Sequence, residues 1–222
     1  MTRRTNSRIA GFTFLFYIAV AFPSMVLLTR ATAGETMAAK LSNLALHAAD
    51  VRLAAVLALL GAFSALVLAV TLHALTREQD PDLALLAMTC RVAEGVTGGI
   101  SILSLLGLLA VVTAGGANAP ETAGAPAVGT FALDPTPLAA TFFAVGSTIF
   151  AWLFLRGRMI PVWLAWVGFL GSAVIVVGLP LQIAQILTGP VTQIMWIPVA
   201  VFELVVAVWL LVKGARAPAL LP

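Results

Sequence analysis

Three ionisable residues, Arg91, Glu94 and Glu203, lie inside long apolar stretches of the sequence. Charged side chains are costly in hydrocarbon, so those in membrane-spanning segments usually face other helices, pair with one another and mark a site. Arg91 and Glu94 are three residues apart and therefore share a helix face. At about 1.5 Å per residue, they lie roughly 13 and 18 Å in from Asp82, and Glu203 lies roughly 15 Å in from Lys213. We predict that the three charges share one depth of the membrane.

The charges of this group do not balance, because one guanidinium faces two carboxylates. Glu203 can offer Arg91 a second acidic partner beside Glu94, which leaves one negative charge for a proton, a cation or another base to neutralise. One interpretation is a fixed network that specifies how the helices pack. The other is a proton-titrating or cation-binding site, or a polar pocket for the head group of a small ligand. No residue is assigned a catalytic role.

Two further pairs of polar residues have helical spacing. Gln182 and Gln185 are three residues apart, shortly after Pro180, and they can either line a polar pocket of the same ligand or ion site or bond across helices. His47 and Asp50 are weak candidates for a metal site, since the sequence places no third ligand beside them. We therefore predict no metal centre, and the cofactor, if any, is unknown.

The sequence lacks the motifs that identify the common enzyme classes. It has no nucleophile-elbow serine, no His-Glu-x-x-His, no phosphate-binding glycine loop and no dinucleotide fingerprint. The net charge is +3, but the cations lie at the ends of apolar runs and form no basic face, which favours lipid head groups over nucleic acid. Cys90 is the only cysteine, so no internal disulfide can form. We expect a protein that is not an enzyme.

The composition identifies the elements that must position these residues. The chain is 61% hydrophobic and only 9% charged, whereas a soluble domain is about a quarter charged. Apolar runs near 20 residues, the length that crosses the bilayer, predict an all-α bundle of six transmembrane helices in a single domain, 1–222. The predicted spans are residues 9–28, 52–75, 83–114, 138–155, 160–187 and 193–212.

The first span has a rival interpretation as a signal peptide, because Ala31-Thr32-Ala33 resembles a cleavage site. The run exceeds the 7–15 apolar residues of a signal peptide, so we predict a retained helix. Cytoplasmic loops carry an excess of Lys and Arg, which predicts cytoplasmic termini and a plasma-membrane location. The cations on the predicted cytoplasmic side are Arg3, Arg4, Arg8, Arg77, Arg156, Arg158, Lys213 and Arg216, and those on the other side are Arg30, Lys40 and Arg52.

Two outer loops and one helix face carry further expectations. Met37, Leu41 and Leu44 have helical spacing in the first outer loop, which predicts either a short interfacial helix or an ordinary connector. The third loop, 115–136, is rich in Gly, Ala and Pro and is typical of a flexible connection. The face of Arg91 and Glu94 continues through small residues to Ser101, and we expect that whole stripe to face protein.

Several motifs occur in a characteristic order along nearly the whole chain. They are Arg8-Ile9-Ala10-Gly11, Arg91 with Glu94, Arg156 with Met159-Ile160-Pro161 to Gly168, and a closing helix with Pro198, Glu203, Trp209-Leu210 and Lys213-Gly214. This pattern resembles a bacterial integral membrane family catalogued as domain of unknown function 4386. The resemblance implies a multi-helix membrane protein and no particular activity or substrate.

Three functional hypotheses follow from these observations. The first is a membrane protein that binds or transports a small ligand or an ion at the buried Arg/Glu group. The second is an accessory or structural subunit, packed against other membrane subunits or further copies of itself. The third is an intramembrane enzyme that modifies lipids, which predicts a pocket open to the bilayer beside Glu94 or Glu203. A cavity that reaches the three charges favours the first hypothesis.

Overall fold

The computed structural model describes residues 1–114 and 138–218, which form helices joined by short turns. The predicted third loop, 115–136, lies outside these residues. In chain order the helices are α1 (Arg3–Ala31), α2 (Met37–Leu46), α3 (Ala48–Thr76), α4 (Pro81–Ala114), α5 (Leu138–Arg156), α6 (Val162–Ile183), α7 (Val191–Ile194) and α8 (Ile197–Val212).

Six segments are long and apolar enough to cross a membrane. They are α1, α3, α4, α5, α6 and the stretch Val191–Val212 that contains α7 and α8. The prediction of an all-α protein with six spans is therefore confirmed. The cytoplasmic location of the termini stays a prediction.

Three of the spans contain a proline beyond their first residue. Pro23 and Pro180 lie inside α1 and α6, where each removes one backbone donor. Pro198 lies inside the last span, in the first turn of α8 and after α7 has ended. A proline is tolerated there because the first N–H groups of a helix have no intrahelical partner.

The described residues fall into two compact units. Within the described residues, unit 1 contains 1–18, 63–95 and 138–218, and unit 2 contains 19–62 and 96–114. Unit 1 includes the start of α1, the end of α3, the start of α4 and helices α5 to α8. Its core is formed by apolar side chains of these helices, including Leu68, Phe154, Ile175 and Leu210.

Glycines bring α6 and α1 close to the segment that carries Glu203. A Cβ on Gly168 would meet the ring of Phe202 at 2.6 Å, and a Cβ on Gly11 would meet the carbonyl oxygen of Ala207 at 2.6 Å. Gly11 thereby lets the backbones of α1 and α8 approach closely, and Gly168 leaves room for the ring of Phe202. The glycines thereby fix where α8 lies in unit 1.

One end of unit 1 is held together by a set of polar contacts that we call the end network. Arg3 pairs with Glu78 at 2.6 Å and also donates to the carbonyl oxygen of Leu75 at 3.0 Å. Asp80 pairs with Arg156 at 3.4 Å. These contacts tie the start of α1 to the α3–α4 turn, and that turn to the end of α5.

The chain after α8 belongs to the same end network. The amide of Ala215 donates to Oγ of Ser7 at 3.0 Å, and the amide of Arg216 donates to the carbonyl oxygen of Met159 at 2.9 Å. The carbonyl oxygen of Arg216 in turn accepts from Arg3 at 3.3 Å. The tail therefore lies between the start of α1 and the α5–α6 turn.

Unit 2 has an apolar core of its own, to which α2 contributes. Leu41 and Leu44 of α2 are fully buried in a cluster with Val51 and Leu108. Nδ2 of Asn43 donates to the carbonyl oxygen of Arg30 at 2.8 Å. The short helix predicted in the first outer loop is present, and its two buried leucines pack against protein.

Candidate functional site

The candidate site is a polar cluster of Tyr17, Arg91, Glu94 and Glu203, all in unit 1. Arg91 is at its centre and only 1% exposed. Its Nη1 lies 2.9 Å from Oε2 of Glu94, one helical turn further along α4. The guanidinium carbon lies 5.0 Å from the centre of the Phe143 ring on α5, within the range of a cation–π interaction. Arg91 is thus held by a carboxylate on its own helix and an aromatic ring on another.

Tyr17 adds a partner that the sequence did not predict. Its hydroxyl donates to Oε1 of Glu94 at 3.2 Å, so the two oxygens of this carboxylate have separate partners on α1 and α4. The sequence did contain an indication that Tyr17 is part of a polar site, because it is the only tyrosine in the chain and lies inside an apolar span. Buried phenols usually have a hydrogen-bond partner. Sequence spacing could not identify that partner, which is 77 residues away.

Glu203 is buried on α8 and lines a small cavity together with Arg91. The centre of a water molecule can occupy a volume of about 10 Å³ in this cavity. The cavity is therefore about large enough for one water. The remaining lining residues are Phe14, Leu72, Ser147, Phe150, Ala151, Phe154 and Phe202. The cavity is therefore mainly apolar, and three polar residues from α4, α5 and α8 contribute to its lining.

Glu203 and Arg91 do not form a direct ion pair in the described structure. The ion pairs closer than 4.0 Å include Arg91 with Glu94 but not Arg91 with Glu203. Oε1 of Glu203 is buried and makes no hydrogen bond within the described part of the chain. The same is true of all three guanidinium nitrogens of Arg91, so its contact with Glu94 is an ion pair without hydrogen-bond geometry. The expected second carboxylate of Arg91 thus lines the same cavity but is not paired with Arg91 within the described residues.

The local sequence explains why Glu203 points inward. Val199, Phe202, Val206, Ala207 and Leu210 are the other buried residues of α8, and with Glu203 they recur at intervals of three and four. This spacing defines one face of a helix. Glu203 is therefore a carboxylate placed in the apolar face that α8 buries in unit 1.

The model of one protein family, described as "Domain of unknown function (DUF4386)", matches residues 9–214. The chain belongs to this family. The match agrees with the resemblance predicted from the sequence motifs, and it covers nearly the whole chain. Neither a curated protein nor a solved structure matches this DUF4386 chain.

Gln182 and Gln185 lie apart from the cavity of this DUF4386 protein. α6 ends at Ile183, so Gln182 is in its last turn and Gln185 follows the helix. Gln185 is exposed and has a left-handed backbone, with φ of 58°. Neither glutamine lines the cavity of Arg91 and Glu203.

His47 and Asp50 lie in unit 2, at the junction of α2 and α3. His47 caps the end of α2, with Nδ1 3.0 Å from the carbonyl oxygen of Asn43, and Asp50 is in the first turn of α3. Among residues 1–114 and 138–218, no three His, Cys, Asp or Glu side chains are grouped so that they could hold a metal ion.

The stripe that continues the face of Arg91 is only partly buried. Arg91, Glu94 and Gly95 are buried as expected, but Ser101 is exposed. A Cβ on Gly98 would meet no atom within 4 Å in the described structure. The expectation that the whole stripe faces protein is therefore wrong beyond Gly95, because helical periodicity identifies a face without showing how far a partner extends along it.

Proposed function

We propose that this membrane protein binds a proton at Glu203, at a site of the kind used by proton-coupled and proton-sensing membrane proteins. The observation that carries the proposal is the water-sized cavity lined by Glu203 and Arg91, both of which are buried. Oε1 of Glu203 has no hydrogen-bond partner within the described residues. When protonated, that carboxyl group would donate a hydrogen bond to a water molecule or to a neighbouring group.

The charge of the polar cluster supports a proton as the bound ion. Arg91 and Glu94 neutralise each other at 2.9 Å, which leaves the carboxylate of Glu203 without a paired cation. Arg91, Glu94 and Tyr17 are the titratable groups whose charges interact with Glu203. An isolated ionised carboxylate in an apolar interior is strongly unfavourable, and protonation removes that cost.

The size and lining of the cavity also support a proton. A bound Ca²⁺ takes about six to eight oxygen ligands, whereas the polar lining here comes from Arg91, Ser147 and Glu203. A volume of about 10 Å³ accommodates neither a lipid head group nor a small organic molecule. This favours ion binding over the hypothesis of a lipid-modifying enzyme.

Infrared difference spectroscopy of the purified full chain in lipid tests the proposal. Spectra recorded on lowering the pH should contain the C=O stretching band of a buried protonated carboxyl. Glu203→Gln should remove that band, and Glu203→Asp should shift it. Glu78→Gln is the matched control, because Glu78 is a carboxylate of the exposed end network.

Two outcomes would overturn the proposal. The band could persist unchanged in Glu203→Gln, or it could disappear in Glu94→Gln while Glu203→Gln retains it. Circular dichroism and size-exclusion chromatography of each variant establish that the bundle is intact. Proteoliposomes containing a pH-sensitive dye then measure whether the bound proton crosses the membrane.

A further inference from the structure

The end network draws a group of exposed cations together at one end of unit 1. We call Arg4, Arg8, Arg158, Lys213 and Arg216 the basic patch. Arg4 and Arg8 flank Ser7, which holds the tail through Ala215, and Arg158 precedes Met159, which holds Arg216. Three separate segments of the chain thereby bring cationic residues to the same end of unit 1.

The basic patch is not neutralised by acidic side chains. The acidic residues of the end network are Glu78 and Asp80, and these pair with Arg3 and Arg156. No member of the patch forms an ion pair within the described residues, and all five are exposed. Their charge is available to an anionic partner.

Arg158 occupies a backbone conformation that favours glycine. Its φ is 49°, in the left-handed region, at the residue that follows Gly157 after α5. The amide of Met159 donates to the carbonyl oxygen of Phe154 at 3.0 Å, the pattern of a helix end that usually has glycine at this position. A non-glycine residue there has a conformational cost. The side chain at this position is an exposed guanidinium.

Exposed apolar side chains adjoin the cations of the patch in sequence. Phe12 follows Arg8 by one helical turn, and Val212 directly precedes Lys213. Trp163 is in the first turn of α6, shortly after Arg158. All three side chains are strongly exposed, and Trp163 and Val212 lie at the ends of their spans. Cationic groups beside apolar ones suit a ligand with a phosphate and acyl chains.

We propose that the basic patch is a binding site for an anionic phospholipid, with the phosphate on the cations of the patch and the acyl chains along the neighbouring exposed faces. This site is independent of the proton proposed at Glu203. Each Lys or Arg near an anionic membrane surface contributes about fivefold to affinity, so three of them contribute about a hundredfold.

Native mass spectrometry of the full chain tests the proposal. The protein is released from micelles that contain equimolar phosphatidylglycerol and phosphatidylcholine, and the lipids that remain bound are counted. We expect retention of phosphatidylglycerol, lowered about a hundredfold in affinity by the triple variant R4Q/R8Q/K213Q. The matched control R30Q/K40Q/R52Q also removes two arginines and one lysine, all outside the patch, and it should retain the lipid.

Arg158→Gly provides a second test that separates binding from folding. It should raise Tm, because glycine adopts the left-handed conformation without strain, and should weaken phosphatidylglycerol binding about fivefold. A rise in Tm with unchanged lipid binding would remove Arg158 from the site.

Equal loss of lipid in the two triple variants would overturn the proposal. Inorganic phosphate at millimolar concentration distinguishes the two sources of a phosphate group. Retention of phosphatidylglycerol in its presence supports a lipid site, and displacement would reassign the patch to a soluble anion.

Discussion

The polar cluster and the end network of unit 1 are both built from arginine and carboxylate pairs, but in different surroundings. The side chains of Arg91 and Glu94 are 1% and 8% exposed, whereas those of Arg156 and Asp80 are 41% and 27% exposed. Water screens the second pair, and exposed pairs of this kind contribute about 0 to 1 kcal/mol. Removing one member of a buried pair costs far more, because it leaves an uncompensated charge.

The two regions also differ in how completely their polar atoms are satisfied. The end network uses backbone carbonyls and amides as well as side chains, as at Leu75, Met159 and Ala215. The cluster has buried nitrogens on Arg91 and a buried oxygen on Glu203 that make no hydrogen bond in the described structure. The end network therefore holds separate segments of the chain together. The polar cluster has buried polar atoms available to the proton that we propose at Glu203.

The largest expected effect follows from removing the central cation. Arg91→Leu leaves Glu94 and Glu203 buried without a compensating charge, and we expect a loss of about 3 to 5 kcal/mol in the free energy of unfolding. Denaturant titration in bicelles, followed by circular dichroism, measures this loss. Arg156→Leu in the end network is the control, and a similar cost for both variants would contradict the distinction between the two regions.

A smaller effect should come from crowding the helices near the cluster. A Cβ on Gly11 would lie 2.6 Å from the backbone oxygen of Ala207, which a backbone shift must relieve, at about 1 to 3 kcal/mol. A Cβ on Gly157, near the end network, would instead meet the flexible side chains of Met159 and Gln79. Thermal unfolding should show a clear drop for Gly11→Ala and a lesser one for Gly157→Ala. A larger drop for Gly157→Ala would mean that the surroundings of Gly157 are more rigid than those of Gly11.

The hydrogen bond of Tyr17 is expected to contribute less again. Tyr17→Phe keeps the ring and removes the donor to Glu94, which should cost about 1.5 kcal/mol because the acceptor is charged. A double-mutant cycle with Glu94→Gln isolates the coupling between the two side chains. Additive effects of the two substitutions would show that this bond does not hold the carboxylate.

The smallest effect is expected in the end network itself. Arg156→Gln removes a partly exposed pair with Asp80 and should cost less than about 1 kcal/mol. The difference from the unmodified protein should shrink further as salt is added, since salt screens exposed charges. Unfolding measured at low and at high ionic strength checks both statements. A large cost that does not depend on salt would show that this pair behaves like the buried pair of Arg91 and Glu94.

Much of the fold was predictable because the bilayer imposes a length on each span. Apolar runs near 20 residues identified α1, α3, α4, α5, α6 and the last span, and the structure has helices at all of them. The end of α6 and the separation of α7 from α8 were not predictable. They depend on local backbone conformations near Gln185 and Met195, where the residues remain apolar or neutral and hydropathy gives no signal.

The cluster was predictable only where its members are close in sequence. Arg91 and Glu94 could be paired from their spacing, and depth counting put Glu203 near them. Tyr17 and Phe143 come from other helices, and no periodicity links them to Arg91. Their contribution depends on how α1 and α5 pack, which close approaches such as that of Gly146 to the stem of Arg91 permit.

The sequence by itself determined that the chain spans a membrane about six times and that three charges lie within the spans, since apolar length and charge position are local properties. Tertiary structure decided which groups these charges meet. It brought the hydroxyl of Tyr17 to Glu94 and placed Arg91 over the ring of Phe143. It also put Glu203 in the lining of the same cavity as Arg91, with no ion pair between them in the described residues. Those distances depend on helix rotation and close packing among segments far apart in sequence, and local patterns do not specify them.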